Sequence, residues 1–217
     1  MRERYRKQLE NLNNNLIHMG ALCEEAIACA AKTLLEGNAE MRDKVLAVEG
    51  ETNMAERDIE QLCVRLLLLE QPVAGDLRQI TAAQKMITDM ERISDQAVDI
   101  AELSVFMKNN SIKSDIHIAD MSRATIRMVT ASIDSFVNKD FNKAQEVIAS
   151  DDIVDDLFLK IREELVEHIK DNPAVASECL DLLMVAKYFE RIGDHAVNIA
   201  EWVVYSITGD RKATRAE

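Results

Sequence analysis

The sequence predicts an all-α fold: two tandem homologous three-helix bundles built from six long antiparallel helices. Three observations lead there. Only two prolines and six glycines interrupt 217 residues. Aromatic residues make up 4%, while Leu, Ala, Ile, Met, Glu and Lys dominate, which leaves little of the clustering that strands prefer. The chain also repeats itself: FERIGDHAVNIAE at 189–201 restates MERISDQAVDIAE at 90–102, identical at nine of 13 positions.

Sliding the chain on itself by about 100 residues extends the match well beyond that phrase. Met19 falls on Met121, Val45–Glu49 on Val147–Asp151, and Pro72 on Pro173. The seam falls near Lys108 to Ser114, giving one bundle over 1–110 and a second over 111–217.

The elements follow in order. Leu12, Leu16, Met19, Cys23, Ile27, Ala30 and Leu34 recur with helical spacing, and Gly37-Asn38 closes that first helix. A second helix spans Ala39 to Glu70 and stops at Gln71-Pro72, where proline suits the first turn of a third, reaching about Lys108. In the second copy the turn signals are Asn138-Lys139-Asp140 and Asp171-Asn172-Pro173, and the last helix closes at Thr208-Gly209. Each helix is expected to run roughly 25 to 35 residues, with short turns that make neighbours antiparallel.

Charge narrows the function classes. A formal net charge of −13 opposes wrapping nucleic acid, which requires a basic footprint. Two small basic patches, Arg2, Arg4, Arg6 and Lys7 at the start and Arg211, Lys212 and Arg215 at the end, are expected to be frayed, solvated termini. No apolar run approaches a membrane span; Leu66 to Leu69 is far short of one. Cys23, Cys29, Cys63 and Cys179 form no CxxC pair, as expected for buried thiols in a reducing, cytoplasmic setting.

The repeated phrase is a stripe of acids. On a helix Glu91, Asp95, Asp99 and Glu102 fall within an arc of about 80°, opposite Met86, Met90, Ile93, Ala97 and Ile100. The second copy matches with Glu190, Asp194, Asn198 and Glu201. Like charges four residues apart weaken a helix, so a stripe of them asks for a cation, and hard or borderline metals take such oxygen ligands. Asp151 and Asp155 repeat the spacing on the fifth helix, and Glu49 and Asn53 hold the aligned places on the second. Counted from the intervening turns, Asp155 is level with Glu190, Asp151 with Asp194, and Glu49 with Glu91 and Asp95. The rival reading is a solvated acidic face, partly neutralised by Arg92 and Arg191. His195, beside Asp194, reads as a bystander.

These phrases, with QPVAGDLRQI at 71–80 and the closing SITG at 206–209, resemble the PhoU family over nearly the whole chain. The resemblance implies two homologous three-helix bundles and metal-carrying E/DxxxD motifs. By position these are Glu91 and Asp95, Glu190 and Asp194, and Asp151 and Asp155. Asn53 stands where the first copy's companion motif would carry its second acid, and Ser94 stands opposite Gly193, so the first site is expected to be the weaker. The implied ligands are iron, zinc, manganese or magnesium. The implied role is a non-enzymatic cytoplasmic regulator, commonly a homodimer, that restrains the phosphate ABC transporter and a membrane sensor histidine kinase.

Two alternatives stand beside it. One is a carboxylate-bridged di-metal enzyme of ferritin-like type, for which His168 and His195 would need Glu at the positions of Leu165 and Ile192. The other is a metal-free helical scaffold. No triad-like grouping or phosphate-binding glycine loop points to catalysis.

Overall fold

The computed structural model describes residues 2–70, 72–107, 112–113 and 116–212, and these are helical nearly throughout, with no strand among them. Gln71, Arg215 and the expected seam, apart from Ile112 and Lys113, lie outside them. The helices are α1 (Arg2–Glu36), α2 (Ala39–Glu70), α3 (Gly75–Phe106), α4 (Ile118–Asn138), α5 (Phe141–Ala149), α6 (Asp151–Asp171) and α7 (Ala176–Thr208). A single 3-10 turn, Pro173–Val175, precedes α7. Together α5 and α6 occupy the place of the expected fifth helix, so six rods form the fold.

Several details depart from the sequence expectation, and α4, at 21 residues, falls short of the expected length of roughly 25 to 35. The fifth rod breaks at Ser150, whose N–H bonds to Glu146 O and Val147 O while its hydroxyl also donates to Glu146 O at 2.7 Å. A side chain competing for the helix carbonyls bends the rod there. Pro72 precedes α3 instead of opening it, since the N-cap is Ala74. The remaining punctuation acts as its chemistry requires. Gly37 and Gly209 take positive φ at the ends of α1 and α7. Asp140 accepts from Lys143 N at the start of α5, and Asn172 accepts from Ala174 N.

Register follows from a few contacts. Gln79 Nε2 donates to Asn13 Oδ1 at 3.2 Å and Cys23 Sγ donates to Met90 O at 3.3 Å, so α1 and α3 run parallel. α2 packs on both. Arg78 lies beside Gly209, and Asp89 beside His195, so α3 and α7 run antiparallel along the junction of the halves. The second junction joins α1 and α4, where a Cβ on Gly20 would stand 2.5 Å from Ile133 Cδ1; bare backbone lets α4 settle close.

Buried side chains of both halves form one continuous core. Phe189 is its largest fully buried member, and truncation to Ala costs roughly 3–5 kcal/mol in such a setting. Cys23, Cys29, Cys63 and Cys179 are all buried free thiols, and burial pushes Cys23 and Cys63 up to about 12. Lys113, 3% exposed, donates to Leu34 O at 2.9 Å and Met107 O at 3.3 Å, which places a cation on the carbonyl ends of α1 and α3. The expected basic start is helical from Arg2 instead of frayed, while Arg6 is solvent-exposed as expected. Nor is Arg211 loose: it bonds Glu201 and lies 4.1 Å over the Trp202 ring.

Candidate functional site

The acids of the repeated phrase divide into two clusters and a seam. In the second half, α6 and α7 bring together Asp151, Asp155, Glu190 and Asp194. Asp151 is pushed up from 3.8 to about 6, first by burial and then by Asp155, Asp194, Asp152 and Glu190. Asp194 is raised by burial and Glu190, with Lys187 and His195 opposing. That mutual influence is the signature of carboxylates facing one another across two helices.

Gly193 sits beneath them. A Cβ there would meet Val154 Cγ1 at 3.4 Å and Asp151 Oδ1 at 3.6 Å, so the missing side chain leaves space under the Asp151 carboxylate. Glu190 Oε2 is buried and ion-paired with the Lys187 ammonium. Lys187 also lies 5.3 Å over the Phe158 ring. It is a built-in cation for this cluster.

The first half repeats the arrangement with more self-neutralisation. Glu49 and Glu56 on α2 face Glu91 and Asp95 on α3. Burial raises Glu91, aided by Asp95, Glu56 and Glu49 and opposed by Arg92. Arg92 pairs with Glu91 at 3.4 Å and Asp95 at 3.2 Å, and Asn53 donates to Glu49 Oε1. Ser94, opposite Gly193 in the repeat, is fully buried and its hydroxyl finds no partner. Glu56 escaped the sequence reading, although it follows Glu49 at i+7 and Asn53 at i+3 on the same helical face; Phe158 holds its place in the second copy.

The lower part of each stripe goes elsewhere. Asp99 is raised by burial, Asp95 and Glu102, and it feels Arg191 from α7. Glu102 is exposed. Asn198 donates to Asp89 Oδ1 at 3.2 Å, and His195 Nδ1 approaches the same oxygen at 2.9 Å, so both serve the junction of α3 and α7. Glu201 is held by Arg211. Asp89 carried no repeat signal, because Tyr188 occupies the matching position. Among the described residues no three Asp, Glu, His or Cys side chains converge closely enough to enclose an ion as they stand.

The donor set nonetheless has the chemistry of a hard or borderline cation site: carboxylate oxygens from two helices, with no side chain at Gly193 beneath Asp151. No helix among the described residues is long and apolar enough to cross a membrane.

Comparison with known proteins bears on the whole chain. The PhoU domain matches it twice, over residues 16–104 and 118–203. A phosphate-specific transport system accessory protein PhoU homolog of Clostridium acetobutylicum is 33% identical over 96% of this chain and 96% of that protein. The protein of the same description from Deinococcus radiodurans is 32% identical over 98% of this chain and 100% of its own length. The crystal structure of PhoU from Pseudomonas aeruginosa superposes with a TM-score of 0.86 at 30% identity, covering 94% of this chain and 99% of that one. A phosphate transport system regulatory protein PhoU from Streptococcus pneumoniae shares the fold, with a TM-score of 0.89 at 24% identity over 97% of this chain and 100% of its own. With both halves matched by one domain and relatives aligned from end to end, this chain belongs to the PhoU family.

Proposed function

We propose that this protein is a non-enzymatic, metal-binding regulator of phosphate uptake. It works at the cytoplasmic face of the membrane, restraining a phosphate ABC transporter and its sensor histidine kinase while phosphate is plentiful. The observation that carries the regulatory part is the end-to-end similarity to phosphate-specific transport system accessory proteins. A homodimer is part of the same reading.

The metal part rests on the second cluster, where four carboxylates stand against one another with Asp151 held near 6. Asp151, Asp155, Glu190 and Asp194 would hold iron, zinc, manganese or magnesium. Such an ion would replace carboxylate repulsion by attraction and lock α6 to α7. Glu49, Glu91 and Asp95, with Glu56 added, would form the lesser site.

Two measurements test the two parts. A strain lacking the protein is expected to express phosphate-starvation genes in high phosphate; normal repression there defeats the regulatory reading. Elemental analysis of protein purified without chelator is expected to find metal in the wild type and less in the Glu190→Ala, Asp194→Ala double variant. Equal content in both removes the site.

A further inference from the structure

At the end of the bundle remote from Lys113, the start of α3 meets the ends of α4 and α7 around a cavity of about 280 Å³. Asp76, Arg78 and Gln79 line it from α3, Lys139 from the end of α4, and Ser206 from α7. Both halves of the chain therefore contribute to it, unlike the two carboxylate clusters.

Three observations mark this cavity. Arg78 Nε is buried without a hydrogen-bond partner, and neither Arg78 nor Lys139 is joined to an acid of the described chain, though Asp76 lines the same space. A partly buried guanidinium without an anion lacks its usual counterpart. Next, the backbone is strained on both sides. Ala74 (φ 44) and Lys139 (φ 52) are the two positive-φ residues other than glycine among the described residues. Ala74 immediately precedes the lining residue Gly75, and Lys139 lines the cavity itself. Glycine would hold the Lys139 position without strain, so the side chain there is kept against a backbone preference. Finally, the first turn of α3 has no side-chain cap; Asp76 N–H turns back to Val73 O and Arg78 N–H to Ala74 O, so only the neighbouring N–H groups of that turn remain for an acceptor.

We propose that this cavity binds inorganic phosphate as hydrogen phosphate. Arg78 and Lys139 face its charged oxygens, and the Asp76 carboxylate accepts the proton of its remaining P–O–H. An acid in an anion site repels sulfate, which has no proton to donate at neutral pH. It equally disfavours a phosphomonoester, whose second ionisation near 6 leaves it mostly without one. Two cations beside one carboxylate thus select hydrogen phosphate. The site shares no residue with the carboxylate clusters and stands whether or not they hold metal.

The test is calorimetric titration of the full chain with inorganic phosphate, sulfate and glycerol 3-phosphate, for the wild type and the variants Arg78→Gln, Lys139→Gly and Asp76→Asn. Saturable phosphate binding is expected, weakened on the order of tenfold or more by Arg78→Gln. Lys139→Gly is expected to weaken binding several-fold while raising the thermal midpoint, since glycine relaxes the backbone; that combination separates lost binding from lost folding. Asp76→Asn is expected to narrow the preference for phosphate over sulfate. Absence of saturable phosphate binding overturns the site. So does an affinity indifferent to both Arg78→Gln and Lys139→Gly, as expected for phosphate held on a cluster-bound metal. Wild-type binding of sulfate or glycerol 3-phosphate as tight as that of phosphate overturns the assignment to hydrogen phosphate.

Discussion

The two carboxylate clusters are copies that have diverged in how they balance their charge. In the α2–α3 cluster Arg92 spans Glu91 and Asp95, and the Asn53 amide occupies Glu49. In the α6–α7 cluster one lysine, Lys187, serves Glu190, while Asp151, Asp155 and Asp194 repel one another. Gly193 leaves room beneath the second cluster, where Ser94 fills the first and leaves its own hydroxyl unpaired. The same phrase therefore yields one cluster largely balanced by its own side chains and one left with more carboxylate repulsion. Electrostatic demand, more than the number of acids, distinguishes them.

The sharpest way to break this comparison is to strip each cluster in turn. Glu190→Ala with Asp194→Ala is expected to lower metal affinity by roughly two orders of magnitude or more, since even outer partners of a metal contribute 10–100-fold. Glu91→Ala with Asp95→Ala is expected to change total affinity far less. Competition titration with a metal-sensitive dye reads both, and equal losses would erase the distinction.

Removing the internal cation tests its cause. Arg92→Ala frees Glu91 and Asp95 and is expected to raise metal affinity of the first cluster several-fold, at less than about 1 kcal/mol of metal-free stability for so exposed a pair. An unchanged first site in the same titration would deny Arg92 its blocking role.

The pH dependence of stability is the next measure. Unfolded, Asp151 ionises near 3.8; folded, near 6. Between those values the folded chain binds more protons, so metal-free stability falls as pH rises through the window and stays low above it. Solvent screening leaves only a fraction of the full linkage, so the thermal midpoint is expected to drop by about 2–4 °C. Asp151→Asn should flatten that slope, and a slope that survives the change would locate the proton elsewhere.

The smallest effect concerns the space under each cluster. Ser94→Ala removes an unsatisfied buried hydroxyl and is expected to stabilise the fold by about 1 kcal/mol. Gly193→Ala gains helix propensity of about 0.5–1 kcal/mol without a clash, yet crowds the Asp151 carboxylate and is expected to weaken metal binding modestly. Denaturant unfolding and the dye titration together separate these opposed signs.

Much of this was legible in the chain. The 3.6-residue period of Leu12, Leu16, Met19 and Cys23 named a buried face, and all four are fully buried. Gly37 and Gly209 marked helix ends that the structure keeps. Equal heights of Asp151 with Asp194 and of Glu49 with Glu91 placed acids that do influence one another across helices. Other features were not legible. Asn198 read as part of the stripe but turns to Asp89, and Glu201 turns to Arg211. Glu56 became a cluster member only when α3 came alongside α2, whereas the Lys187–Glu190 pair is local to α7. The break at Ser150 depends on one hydroxyl choosing its carbonyl.

By itself the sequence determined which side chains share a face and which sit at one height, because rise and rotation along a helix are properties of the local backbone. Tertiary structure alone decided which neighbour each part of a face meets. On α7 the upper acids face α6 while His195 and Asn198 face α3. That division arises from how long rods rotate to fill one shared core, a non-local compromise among side-chain volumes that no single helix encodes.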